Sequence, residues 1–181
     1  MNIRRTILFA VLLLACGAAD DKNSKGLKIT DKVFRQTSSL LLDDPLNKSA
    51  RDWSRLILLY TSQAPNATVA LGLEELRWLG LGIDDSHSQL LLAAYAAGNI
   101  QSQLNSGVKR NDRYSGLLTL FRVYRALREQ NKSYTIAAVD TLLGLHEQNK
   151  LMSHLQKLDE EKPAKMTPEG EAVLRRLMRT R

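Results

Sequence analysis

The segment Ser86-His87-Ser88-Gln89-Leu90-Leu91-Leu92-Ala93-Ala94-Tyr95-Ala96-Ala97-Gly98-Asn99 decides the fold. Its first four residues read as a capping box, in which Ser86 and Gln89 satisfy each other's free amides. Gln89 to Ala97 then predicts a helix that is apolar on almost every side. A helix without a polar face is buried between neighbours. Gly98 suits its C-terminal cap, and Asn99 begins a short further helix through Ile100 and Leu104 that Gly107 stops.

The neighbours are legible on both sides. Upstream, Ile29, Val33, Phe34, Leu40 and Leu41 give a first amphipathic segment closed by Pro45. Ser49 is placed to cap a second helix to Gln63, where Ala50, Trp53, Ile57 and Tyr60 form one continuous stripe. Pro65 blocks its continuation. Asn66 is placed to start another helix with Val69, Leu73 and Leu76 on one side, although Thr68 to Leu71 also fits a short strand. Downstream, Asp112 caps the longest helix, to about Gln130, with Tyr114, Leu117, Leu118, Phe121, Tyr124 and Leu127 inward. Arg113, Arg122, Arg125 and Arg128 occupy its other face. Ser133 is expected to cap the next helix (Ile136, Val139, Leu142, Leu143), and Leu151, Leu155 and Leu158 add a further one. Thr167-Pro168-Glu169 reads as the start of a C-terminal amphipathic helix carrying Arg175, Arg176, Arg179 and Arg181.

The chain has 181 residues with only 10 Gly and 4 Pro, which suits one helical domain. The expected class is all-α, an irregular helical-hairpin array or bundle. Leu90 to Asn99 resembles the first helix and turn of a tetratricopeptide repeat, where small residues, a tyrosine and a glycine let two helices pack closely. Leu117 to Tyr124 with the helix after it, and Trp53 to Tyr60, resemble further units. The resemblance implies a right-handed solenoid with a groove for a bound peptide. Departures from the pattern are visible: Tyr60 and Tyr95 are 35 residues apart, but Tyr95 and Tyr124 only 29.

Residues 1–15 read as a signal peptide. Arg4 and Arg5 precede a nine-residue apolar run, Ile7 to Ala15, far short of a membrane span. Leu13-Leu14-Ala15-Cys16 resembles the bacterial lipobox, which implies cleavage before Cys16 and a lipid on its sulfur. The alternative is ordinary cleavage after Ala19, giving a soluble secreted or periplasmic chain. Residues 16–28 form a polar tether, 29–158 the helical domain, and 159–181 a charged linker followed by the last helix.

The formal charge is +7, of which Arg4 and Arg5 supply two. The remainder is spread over mixed surfaces, so no nucleic-acid partner is expected. No phosphate loop, nucleophile elbow or metal-ligand spacing occurs, and no cofactor is expected. His146 and His154 lack zinc spacing, and Asp84, Asp85 and His87 read first as a turn and cap. The reading that follows is a non-enzymatic, lipid-anchored module that binds a protein or peptide, with Trp53, Tyr60, Tyr95, Tyr124, Arg122 and Arg125 as candidate contacts. The alternative is a small periplasmic enzyme with its site near Asp84, Asp85 and His87.

Overall fold

The computed structural model describes residues 28–70, 78–79 and 84–160. The described residues are all-α: α1 (Asp31–Asp43), α2 (Ala50–Gln63), α3 (Asp85–Ser106), α4 (Arg113–Gln130), α5 (Ala137–Glu147) and α6 (Leu151–Glu160). The expected signal peptide, most of the tether and the C-terminal helix lie outside them.

The hairpin of α1 and α2 is closed at both ends. Thr30 caps α1 by accepting from the Val33 amide, and the Ile29 amide donates to Gln63 at the far end of α2, 3.1 Å away. In the turn, Asn47 accepts from the Ser49 amide and donates to Asp44, which turns the chain before Ala50. Ser49 occupies the cap position of α2 without a side-chain bond. Between the helices Phe34 stacks on Tyr60 with centroids 4.4 Å apart, and the Tyr60 hydroxyl donates to Asp31.

Helix α3 is the centre of the fold. Leu91, Ala93, Ala94, Tyr95, Ala97 and Ile100 are fully buried, and each large side chain among them contributes about 1.5–3 kcal/mol of transfer free energy. Two expectations about α3 are corrected. Asp84, not the Ser86–Gln89 pair, caps the helix, accepting from the Ser86 amide and hydroxyl. Gly98 does not end it, because the helix runs unbroken to Gly107, whose φ of 69° is the left-handed stop. Gly98 sits where α4 crosses: a Cβ there would lie 2.4 Å from the Ser115 carbonyl oxygen and 2.2 Å from Thr119 Oγ1. Gly116 faces Tyr95 in the same way. The glycines serve close helix approach, and Thr119 Oγ1 donates across the seam to the Ala94 carbonyl at 2.7 Å.

The helix expected from Asn66 is absent over 66–70, where the chain is non-helical and shows no strand either; Leu73 and Leu76 lie outside the described residues. Gln103 on α3 is the physical reason. Its amide accepts from the Thr68 N–H at 3.0 Å and donates to the Thr68 carbonyl at 2.7 Å, as a neighbouring strand would. Asn111 accepts from the Ala70 amide and from Asn99, which itself accepts from Gln103 and the Asp112 amide. These buried amides replace the hydrogen bonds that a helix would have supplied.

Asp112 caps α4 as expected. Ser133 does not cap α5: it donates to Asn131, and α5 begins at Ala137 after the Ile136 amide has bonded the Tyr124 hydroxyl at 2.9 Å. Asn149, at φ 57°, turns the chain from α5 into α6. Asp159 and Glu160, expected to open a linker, continue α6.

Contacts at the helix ends set the directions. Arg35 donates to Asn105 at 2.6 Å and Lys109 to the Pro65 carbonyl at 2.7 Å. The start of α1 and the ends of α2 and α3 therefore share one end of the molecule, the Lys28 end. The α1–α2 turn meets the start of α3 and the end of α4 at the other, the His87 end. Helices α2 and α3 thus run the same way, and α1 packs on α2, α3 and α4 together. Helices α1 to α4 pack on one another, and α6 packs on both α4 and α5.

Candidate functional site

The six residues singled out in the sequence divide into three groups. Tyr60, Tyr95 and Tyr124 are core residues at or below 2% exposure and present no surface to a partner. Their hydroxyls explain why tyrosine stands there: Tyr60 donates to Asp31, Tyr95 to the Ala70 carbonyl and Tyr124 to Asp140. Trp53 is half-buried against the core. Arg122 and Arg125 are exposed, but each is already paired, Arg122 with Asp43 of α1 and Arg125 with Glu147 of α5, both at 3.1 Å. Arg128 meets Asp140 of α5 at 3.0 Å, and Arg113 pairs with Asp159 of α6. The arginine face of α4 therefore joins four helices and is not a bare basic surface. Exposed pairs of this kind contribute about 0–1 kcal/mol each, so they set register more than they add stability.

The acidic cluster at the start of α3 is held by its capping role. Asp84 accepts two bonds from Ser86 within 2.6 Å, and these hold its carboxyl below the usual range. The Asp85 side chain lies outside the described residues. His87 sets its ring edge-on to Tyr134, centroids 5.0 Å apart, and its charge adds to the lowering at Asp84. Among the described residues, no three His, Cys, Asp or Glu side chains gather as a metal site would require.

His87 does face a feature that the sequence did not announce. An open cleft of about 200 Å³ lies between the α1–α2 turn, the start of α3 and the end of α4. Pro45, Leu46, Ala50, Leu90 and Leu127 give it apolar walls; Asn47, Arg51, Ser86, His87 and Gln130 supply its polar groups. Leu46 is 42% exposed at its rim. Pockets for drug-sized ligands and cofactors begin near 300 Å³, so this cleft suits one or two side chains of a larger partner. The one local signal for it was the apolar Leu46 between Pro45 and Asn47.

Beneath the cleft, Tyr124, Tyr134, Asp140 and Arg128 form a small cluster. The Tyr124 hydroxyl donates to Asp140 at 2.9 Å and accepts from the Ile136 amide, while Arg128 lies over its ring at 5.8 Å. Burial raises the Tyr124 hydroxyl above its ordinary value, with Asp140 adding to the rise. The neighbouring Tyr134 hydroxyl is buried without a hydrogen-bond partner. Its burial, with Tyr124 and Asp84 nearby, pushes its pKa up to about 12.

Comparison with protein-family models, with curated proteins and with solved structures gives no match to this chain.

Proposed function

We propose that the chain is an exported helical module, anchored by lipid on Cys16, that binds a protein or peptide at the cleft of the His87 end. The exposed, partly apolar cleft carries this reading. A protruding apolar side chain of the partner would fill the space between Leu46, Leu90 and Leu127, while Asn47, His87 and Gln130 hydrogen-bond the backbone beside it. The signal and lipobox-like segment of the sequence supports export and the anchor. The module is read as non-enzymatic, with no cofactor and no nucleic acid among its partners.

The test is a photo-crosslinking residue placed at Leu46, with Met152, 47% exposed on α6, as the control position. A discrete adduct at Leu46 that is missing at Met152, and is lost when Arg51 is reversed to Glu, is expected. Equal adducts at both positions, or none at Leu46, refute the cleft as the contact surface. Mass spectrometry of the mature N-terminus tests the anchor separately: a diacylglyceryl mass on Cys16 supports it, and a chain starting at Asp20 refutes it.

A further inference from the structure

Among the described residues, five unpaired cations gather at one end of the bundle. Lys28, Lys32 and Arg35 lie at the start of α1, and Lys109 and Arg110 in the loop between α3 and α4. The Arg35–Asn105 and Lys109–Pro65 hydrogen bonds bring these two groups to the same end. All five are exposed, and among the described residues none is in an ion pair. The carboxylates beside them are Asp31, which accepts from Tyr60, and Asp112, which accepts from Ser102 and Ser115 with the Arg110 charge nearby. Arg113 and Asp159 cancel each other there. Val33 and Val108, 39% and 56% exposed, stand among the cations with no apolar cover. The opposite end mixes the exposed carboxylates Asp44 and Asp84 with the exposed cations Lys48, Arg51 and Lys132, and Asp43 there is paired with Arg122, so it holds no comparable unpaired cluster of one sign.

We infer that the Lys28 end is a docking face for an anionic lipid surface. Cations and isolated valines together fit a headgroup layer: phosphates take the charges and the interface takes the methyl groups. A nucleic-acid backbone would gain nothing from Val33 and Val108. The chain itself leads to this face, since Lys28 is where the segment from Cys16 enters the bundle. That segment is 12 residues, 17–28, and spans at most about 40 Å when extended. The inference rests on the anchored reading for the nearness of a membrane, and it adds an orientation: the cleft at the His87 end faces away from the lipid, toward partners.

The probe is the mature chain, residues 16–181, with Cys16→Ser, which carries neither the signal segment nor a lipid, mixed with phosphatidylcholine vesicles with and without phosphatidylglycerol. Binding to the anionic vesicles alone is expected, and high salt should abolish it. Each of Lys32→Glu, Lys109→Glu and Arg110→Glu should weaken it roughly fivefold or more, and Val108→Asp should weaken it further. All four positions are exposed, and unchanged circular dichroism confirms that the variants fold. Equal binding to neutral vesicles, or no effect of the three reversals, overturns the inference. So does full loss on deleting residues 163–181 while the reversals are silent. Binding of duplex DNA that competes with vesicles and ignores Val108→Asp also overturns it, in favour of a nucleic-acid surface. An unlipidated Cys16 with intact vesicle binding would instead refute the anchor and leave this face standing.

Discussion

Gly98→Ala should destabilise the protein although it removes a glycine from the middle of a helix. On an open helix the same change stabilises by about 1 kcal/mol, because alanine is the better helix former. At Gly98 the new Cβ would meet Thr119 Oγ1 at 2.2 Å, the Ser115 carbonyl oxygen at 2.4 Å and Thr119 Cγ2 at 2.7 Å. Thr119 can rotate, but the Ser115 oxygen is helix backbone. Bringing it to an ordinary contact near 3.4 Å moves α4 about 1 Å away from α3. A gap of that size forfeits up to about half of the dispersion energy across a packed seam, and overpacking of this kind costs about 1–3 kcal/mol. Loss of the Thr119–Ala94 hydrogen bond adds about 1 kcal/mol, roughly cancelling the propensity gain. The net is a loss of about 2 kcal/mol, which lowers the urea midpoint by roughly 1 M for a slope near 2 kcal/mol per molar. Gly144→Ala is the control: nothing lies within 4 Å of a Cβ there, so its midpoint should rise by a few tenths molar. Adding Thr119→Ala to Gly98→Ala removes two of the three clashes and leaves the backbone one, so recovery should be partial. Equal stabilisation by Gly98→Ala and Gly144→Ala, or full rescue by the double variant, would refute the close-crossing argument.

Gln103→Leu strips both bonds from Thr68, so it should cost about 2–4 kcal/mol from two orphaned backbone groups; hydrogen exchange at Thr68 should rise more than at Leu120, and uniform acceleration would contradict a local clamp. Tyr134→Phe removes a buried hydroxyl that has no partner, so at neutral pH urea unfolding should show no loss and a gain of up to about 1 kcal/mol. Because the folded pKa of Tyr134 lies above its unfolded value, near 10, its contribution is full below pH 10 and is lost as pH rises toward 12; the variant should therefore lose less stability than the parent across that alkaline window. Asp112 has the opposite sign. Desolvation raises its carboxyl, but the bonds from Ser102 and Ser115 outweigh it and leave the pKa below 3.8, so its stabilisation is present above that value and fades as pH falls through the folded pKa. Acid titration of the urea midpoint should be flatter in Asp112→Asn, and an unchanged profile would show that the cap carries no such linkage.

The line between what the sequence made legible and what it did not follows the range of the interactions. Helix existence, the Asp112 cap and the buried character of Leu90 to Ala97 depend on neighbours within a turn or two, and a period of 3.6 reports them directly. Gly98 misled because two physical demands call for the same residue. A helix end needs a left-handed residue and a close crossing needs a missing Cβ, and only the position of α4 separates them. Ser133 and Ser86 misled in a related way: each lies beside a better acceptor, Asn131 or Asp84, and which side chain caps is a competition that the pattern does not score. The tyrosines sit on inward stripes and are also candidate anchors, because an amphipathic ring on an apolar stripe fits a groove as well as a core. Their hydroxyls find Asp31, the Ala70 carbonyl and Asp140 on segments 29, 25 and 16 residues away, and pairings at that separation leave no local trace. The same holds for the arginines of α4, whose partners come from α1, α5 and α6. The cleft is the extreme case. It is made of the α1–α2 turn and the ends of three helices, each ending for its own capping reasons, and its chemistry exists only where they meet. A local reading therefore finds what each helix must bury, and overlooks the surface that the helices make together.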